Sequence, residues 1–136
     1  MSETANKVIL LKEDYDLLTN LFSTTKHFKT NDIENYKSLI RELSKAVVLN
    51  RKDFPPDVVR LNSTVTIKDE DTKSVMTFKI VLPIDANIKN KKVSVLAPLG
   101  TALIGFKKGD HLTWSVPGGE KHFSIMDVNN HFFVTN

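Results

Sequence analysis

The stretch VSVLAPLGTALIGFKKGDHLTWSVPGGEKHF, residues 93–123, carries the changes of period on which the fold turns. Val93-Ser94-Val95 is extended in character. Pro98 then presets a helical φ and Gly105 supplies a stop, so Pro98-Leu99-Gly100-Thr101-Ala102-Leu103-Ile104-Gly105 predicts one short helix. Beyond it Leu112, Trp114 and Val116 alternate with His111, Thr113 and Ser115, the period of two expected of a strand with one inward face. Pro117-Gly118-Gly119 then turns the chain into a partner strand containing Phe123 and Ile125.

The same period runs upstream. Val65 and Ile67 alternate with Thr64, Thr66 and Lys68, and Met76, Phe78, Ile80 and Leu82 with Thr77, Lys79 and Val81. The polar connection Asp69-Glu70-Asp71-Thr72-Lys73 joins these two strands, and Pro83 closes the second. Residues 51–136 therefore read as an antiparallel sheet crossed by one short helix. Asn50-Arg51-Lys52-Asp53-Phe54-Pro55-Pro56 interrupts helical periodicity, because proline cannot continue a helix and drives its predecessor toward extended backbone. We place a module boundary there.

Residues 1–50 have a period near 3.6. Tyr15, Leu18, Leu21 and Phe22 form one apolar stripe between Lys12 and about Phe28, with Glu13, Asp14 and Asp16 suited to a helix start. Ile33, Tyr36, Leu39, Ile40, Leu43 and Val47 form a second stripe, opened near Asn31 with Glu34 three positions on. The connection at Lys29-Thr30 is short enough only for a reversal, which predicts a short antiparallel helical hairpin, or short coiled coil. The fold class expected is α+β: hairpin first, sheet domain second.

Composition narrows the functional classes. The 136 residues carry a net charge of +3, but 19 basic residues are interleaved with 16 acidic ones, so direct nucleic-acid binding is not favoured. No apolar run nears the roughly 20 residues of a membrane span, and Ser2-Glu3-Thr4 lacks the basic start of a signal peptide, so a cytoplasmic protein with no membrane partner is expected. The absence of cysteine excludes disulfides and thiolate metal sites. His27, His111, His122 and His131 are scattered without metal-ligand spacing. Gly100 and Gly105 match the spacing of a phosphate loop, but Phe106 stands where its lysine belongs. No serine lies in a nucleophile elbow. We expect no catalytic residues, no metal and no cofactor, hence no enzyme.

Residues 93–123 resemble the C-terminal domain of the GreA and GreB transcript-cleavage factors, in which an S-P-hydrophobic…L-I-G segment precedes G-D and P-G-G. Pro98-Leu99-Gly100-Thr101-Ala102-Leu103, Trp114 and Val116-Pro117-Gly118-Gly119 resemble the Rnk branch of that family. So do Phe54-Pro55-Pro56-Asp57-Val58-Val59 and Asn62-Ser63, and the likeness runs from about Ala46 onward. It implies an FKBP-like sheet domain, and RNA polymerase as partner, contacted at the rim of its secondary channel. In the cleavage factors a long coiled coil carries acidic tip residues to the catalytic magnesium. Here the hairpin is much shorter. Asp32-Ile33-Glu34-Asn35 resembles that tip with one residue of spacing lost, while Asp32 and Glu34 equally suit the first turn of a capped helix.

The polar residues and proline implicated in polymerase docking correspond here to Leu96, Ala97 and Pro98, followed by Leu99. The proline is retained and the polar side chains are replaced by apolar ones. As an alternative, Leu96 packs into the core and Pro98 simply starts the helix. The leading expectation is a transcription-associated regulator that competes with cleavage factors without cleaving. Two others are a peptidyl-prolyl isomerase, prompted by fold alone, and a nucleic-acid or self-association module using the basic clusters or the apolar hairpin, with Asn129-Asn130-His131-Phe132-Phe133-Val134 as a further strand-adding or homo-oligomer contact.

Overall fold

A computed structural model describes residues 8–21, 30–116 and 118–130. It is α+β. The elements run β1 (Ile9–Leu11), α1 (Lys12–Thr19), α2 (Thr30–Leu43), β2 (Val47–Leu49), β3 (Thr64–Asp69), β4 (Val75–Val81), β5 (Lys92–Ser94), α3 (Pro98–Leu103), β6 (His111–Val116) and β7 (Gly119–Asn129). No helix among the described residues is long and apolar enough to cross a membrane.

The main sheet has five strands in the order β5-β4-β3-β7-β6. Alternation sets its faces: Val65 and Ile67 on β3, Phe78 and Ile80 on β4, and Phe123 and Ile125 on β7 are buried, while Thr66, Thr77 and Asp127 share the opposite face. A bulge in β7 leaves Met126 without a partner between Asp127 and Ile125, and the inward phase continues past it to Val128. The all-antiparallel sheet expected from sequence is corrected at one edge. β5 pairs with β4 in parallel, Lys79 opposite Lys92 and Val81 opposite Ser94. Pro83 ends β4 by opening a 3-10 turn, a second such turn spans Ile88–Asn90, and the segment returns the chain to the level of Lys79 before β5 begins. Hydrophobic period does not report strand direction.

At the amino-terminal end β1 and β2 pair in parallel, Ile9 opposite Val47 and Leu11 opposite Leu49. Val47 therefore belongs to a strand and not to the second helical stripe. α2 ends at Leu43, and after a turn Val47 N–H donates to the Val8 carbonyl at 2.9 Å. β-branched Val47-Val48 suit this extended backbone. The first helix is also shorter than its stripe. α1 ends at Thr19, where the Asn20 amide group donates to the Asp16 carbonyl at 2.8 Å. Leu21 of that stripe is buried in the core, while Phe22 and the expected reversal through Lys29 lie outside the described residues.

Both segments share one hydrophobic core. Leu10, Leu18, Leu39 and Leu43 from the helical part pack with Leu61, Ile80, Leu96 and Leu103 of the sheet part. Two polar ties reinforce the joint, and a third holds the helices together. The Ile9 amide donates to the Gly105 carbonyl at 3.1 Å, close to Val8, and a Cβ at Gly105, whose φ is +86, would collide with the Val8 side chain. The Tyr36 hydroxyl lies 3.0 and 2.9 Å from the carbonyls of Leu18 and Thr19, holding α2 against α1. The buried Asp14 carboxylate accepts from the Arg60 guanidinium and the Leu61 amide across the module boundary.

Asp69 organises the β3–β4 connection. Its carboxylate accepts from the amides of Thr72 at 3.2 Å and Asp71 at 2.9 Å, with Lys121 Nζ at 3.6 Å. The Thr72 amide is the largest cause holding its carboxyl below the ordinary carboxylate range, joined by the Asp71 amide and Lys121 and opposed by partial desolvation. A lowered folded-state pKa contributes stability above the unfolded pKa and loses it as pH falls through the folded one. The stability advantage of wild type over Asp69→Asn should therefore be constant near neutrality and shrink once pH drops below about 4. Urea unfolding at a series of pH values checks this; an advantage undiminished in acid contradicts it.

Candidate functional site

A cleft of about 410 Å³ separates α2 from α3 and is lined by Val8, Ser38, Arg41, Glu42, Pro98, Thr101, Ala102, Ile104 and Phe106. Its α3 wall begins at Pro98 and is fixed from the end of β5. The Leu96 amide donates to Ser94 Oγ at 3.0 Å, the Ala97 amide to the Ser94 carbonyl at 3.0 Å, and Thr101 Oγ1 to the Val95 carbonyl at 2.7 Å. These bonds pin the segment ahead of α3. Pro98 occupies the first turn, where its missing N–H leaves nothing unsatisfied.

The four residues predicted to meet a partner divide. Leu96 is 1% exposed and belongs to the core. Ala97 and Leu99 are half-buried, and Pro98 is exposed. Pro98 is the one of the four that also lines the cleft. The opposite wall was not anticipated. Ser38, Arg41 and Glu42 read in sequence as the solvated face of α2, and nothing in their spacing signals that α3 lies across from them. Arg41 Nη2 donates to Ser38 Oγ at 3.1 Å, so the wall presents a guanidinium and a carboxylate beside the apolar Ala102, Ile104 and Phe106. Such a surface suits a protein segment with apolar and charged groups.

The tip residues lie elsewhere. Glu34 is exposed in the first part of α2, and Asp32 lies in the same turn, its side chain outside the described residues. At 14 residues α2 is roughly 21 Å long, and the cleft occupies its far half. Two further apolar side chains face solvent on the loop before β5: Ile84 and Ile88 are each 81% exposed. Sequence gave them no periodicity to be recognised by.

Among the described residues no group of three or more metal-ligating side chains comes together. His111 and His122 are exposed on adjacent strands, and His122 Nδ1 lies 3.3 Å from Thr113 Oγ1. The side chain of Trp114, together with His27, His131 and the tail from residue 131, falls outside the described residues.

The sequence model of the family described as "Transcription elongation factor, GreA/GreB, C-term" matches residues 54–130. Transcription elongation factor GreA of Pelobacter propionicus is 38% identical over 92 residues, 68% of this chain and 58% of that protein. The chain thus spans under two thirds of the GreA relative. A regulator of nucleoside diphosphate kinase from Escherichia coli is 33% identical over 92 residues, 67% of this chain and 68% of that protein. A solved GreA/GreB transcription elongation factor from Nitrosomonas europaea superposes with TM-score 0.72 at 31% identity, covering 91% of this chain and 98% of the other. That superposition extends beyond residues 54–130 and takes in amino-terminal elements.

Proposed function

We propose that this chain, which belongs to the GreA/GreB transcription elongation factor family through its C-terminal domain, is a Rnk-like regulator that binds RNA polymerase near the mouth of the secondary channel. The exposed Pro98, held at the start of α3 by the bonded Ser94–Thr101 segment, carries this reading. A pre-ordered loop with an apolar projection meets a partner at little entropic cost. Residues 51–136, an FKBP-like sheet domain, supply the docking surface. The short helical part within residues 1–50, to which α1 and α2 belong, stands at the channel mouth without reaching the catalytic magnesium. The protein competes with cleavage factors by occupancy, in the cytoplasm where polymerase works. The half-buried Ala97 and Leu99 flank the contact, and Leu96 supports it from the core.

Immobilised core polymerase should retain the protein at low salt and micromolar concentration, and Pro98→Asp, at an exposed position, should weaken retention about tenfold while leaving thermal stability within about 0.5 kcal/mol. Stalled complexes should show no added transcript cleavage with this protein alone, and less cleavage when it competes with a cleavage factor. Loss of wild-type retention under those conditions would overturn the reading. Cleavage stimulated by the protein alone and abolished by Asp32→Asn with Glu34→Gln would overturn the assignment of occupancy.

A further inference from the structure

A second hollow, of about 380 Å³, lies on the outer face of the sheet, away from the cleft. Its geometry follows from register. Ser124 on β7 is directly opposite Lys68 on β3 and directly opposite His111 on β6, so the three side chains form one row across three strands on the same face. Lys108 and Gly109 close one side, with Ile125 and Met126 completing the lining and Glu70 at the rim.

Ser124 is the unusual member. The residue is 6% exposed, and its Oγ is buried with no hydrogen-bond partner among the described residues. Buried hydroxyls in native folds almost always have a partner, and an orphan of this kind calls for a specific explanation. It lines a hollow bordered by cationic and donor groups. Lys68 makes no ion pair among the described residues. His111 presents an imidazole N–H in either neutral tautomer. Glu70 lies 3.7 Å from Lys73, and Asp127 lies 3.7 Å from the lining Lys108 and offsets its charge, so Lys68 is the lining lysine that supplies charge.

The geometry points to an oxyanion site for a small phosphate, either inorganic phosphate or the terminal phosphate of a nucleotide, in which Ser124 Oγ and His111 donate hydrogen bonds and Lys68 supplies charge. Two lysines, an imidazole and a single buried hydroxyl line the hollow, and its one lining carboxylate, Glu70, is paired with Lys73, which suits one tetrahedral anion. They do not form the extended cationic track, with several phosphate contacts, that a nucleic-acid backbone needs. The apolar Met126, 45% exposed beside the hollow, offers a surface for a nucleotide base and distinguishes the two small ligands.

The test is amide-resolved NMR titration of the full chain with sodium phosphate, with ADP and with a short single-stranded RNA, each against sodium chloride at matched ionic strength. Phosphate or ADP should shift the amides of Lys68, His111 and Ser124 saturably. Ser124→Ala should weaken that binding about fivefold and Lys68→Gln about tenfold. ADP binding tighter than phosphate, with the Met126 amide shifting, identifies the nucleotide as the ligand; equal affinities identify inorganic phosphate. The thermal midpoint of Ser124→Ala should equal or exceed that of wild type, since the substitution removes an orphan hydroxyl, and this separates lost binding from lost folding. The proposal is overturned if chloride produces the same shifts, if Ser124→Ala binds phosphate as well as wild type does, or if only RNA binds.

Discussion

Asp14→Ala should destabilise the protein by about 3–5 kcal/mol, the usual result of removing one partner from a buried, hydrogen-bonded ion pair. The Asp14 side chain is 4% exposed and that of Arg60 12%. Arg60 Nε and Nη2 approach the carboxylate at 3.0 and 2.7 Å, and the Leu61 amide donates to it at 3.0 Å. Alanine would deprive the largely buried guanidinium and the Leu61 amide of this acceptor together. The pair also joins α1 to the segment leading into β3, and α1 holds α2 through Tyr36. Loss of Asp14 should therefore loosen the α2 wall of the cleft.

Glu13→Ala, one residue earlier, is the internal control. Its salt bridge to Arg51 is 3.0 Å long but both side chains are more than half exposed, so removing it should change stability by less than about 1 kcal/mol. Urea denaturation with an unchanged m-value measures both. If Asp14→Ala costs no more than Glu13→Ala, the pair is not what fastens the helices to the sheet.

Gly100→Ala should cost about 1–3 kcal/mol and reduce polymerase retention further than that loss of stability explains. A Cβ at Gly100 would collide with the Ser94 carbonyl oxygen and would lie 3.1 Å from Val95 Cα, so the contact is with backbone on both counts. Neither neighbour can rotate away. α3 would have to lift from β5, and Pro98, two residues earlier on the same turn, would move with it. Thr101→Ala is the comparison. It removes the bond to the Val95 carbonyl without adding volume, and should cost about 1 kcal/mol with retention largely preserved. Thermal unfolding and polymerase pull-down on both variants separate the cases; a Gly100→Ala protein with wild-type midpoint and retention would refute the close approach.

Much of the sheet domain was legible from sequence because its signals are local. Alternation along Thr64–Lys68 and Met76–Leu82 marked β3 and β4, with Val65, Ile67, Phe78 and Ile80 inward, though Met76 of the same series is exposed and Val81 of the other is buried, and Pro98 marked the start of α3. The amino-terminal part was less legible. Val47 continued a helical stripe by spacing, yet it pairs beside Ile9, 38 positions away, as β1 and β2 close on each other. Leu96 read equally well as contact or core, and only its 1% exposure assigns it to the interior.

The candidate sites divide the same way. Pro98 was accessible to sequence reasoning because proline at a helix start is a local event. Ser38, Arg41 and Glu42 were not, since a polar helical face looks alike whether it meets water or another helix. Ser124 between Lys68 and His111 depends on the register of three strands separated by more than 40 residues of chain at one joint and 13 at the other.

By itself, the sequence determined where β3, β4, β6, β7 and the short helix form, and most of the side chains that β3 and β4 turn inward, because backbone preference and hydrophobic period act between near neighbours. The tertiary structure decided the parallel placement of β5, the β1–β2 pair, the Asp14–Arg60 tie, and what faces the cleft and the outer hollow. Those depend on the direction and register with which distant segments pack, and a period of 2 or 3.6 residues carries neither.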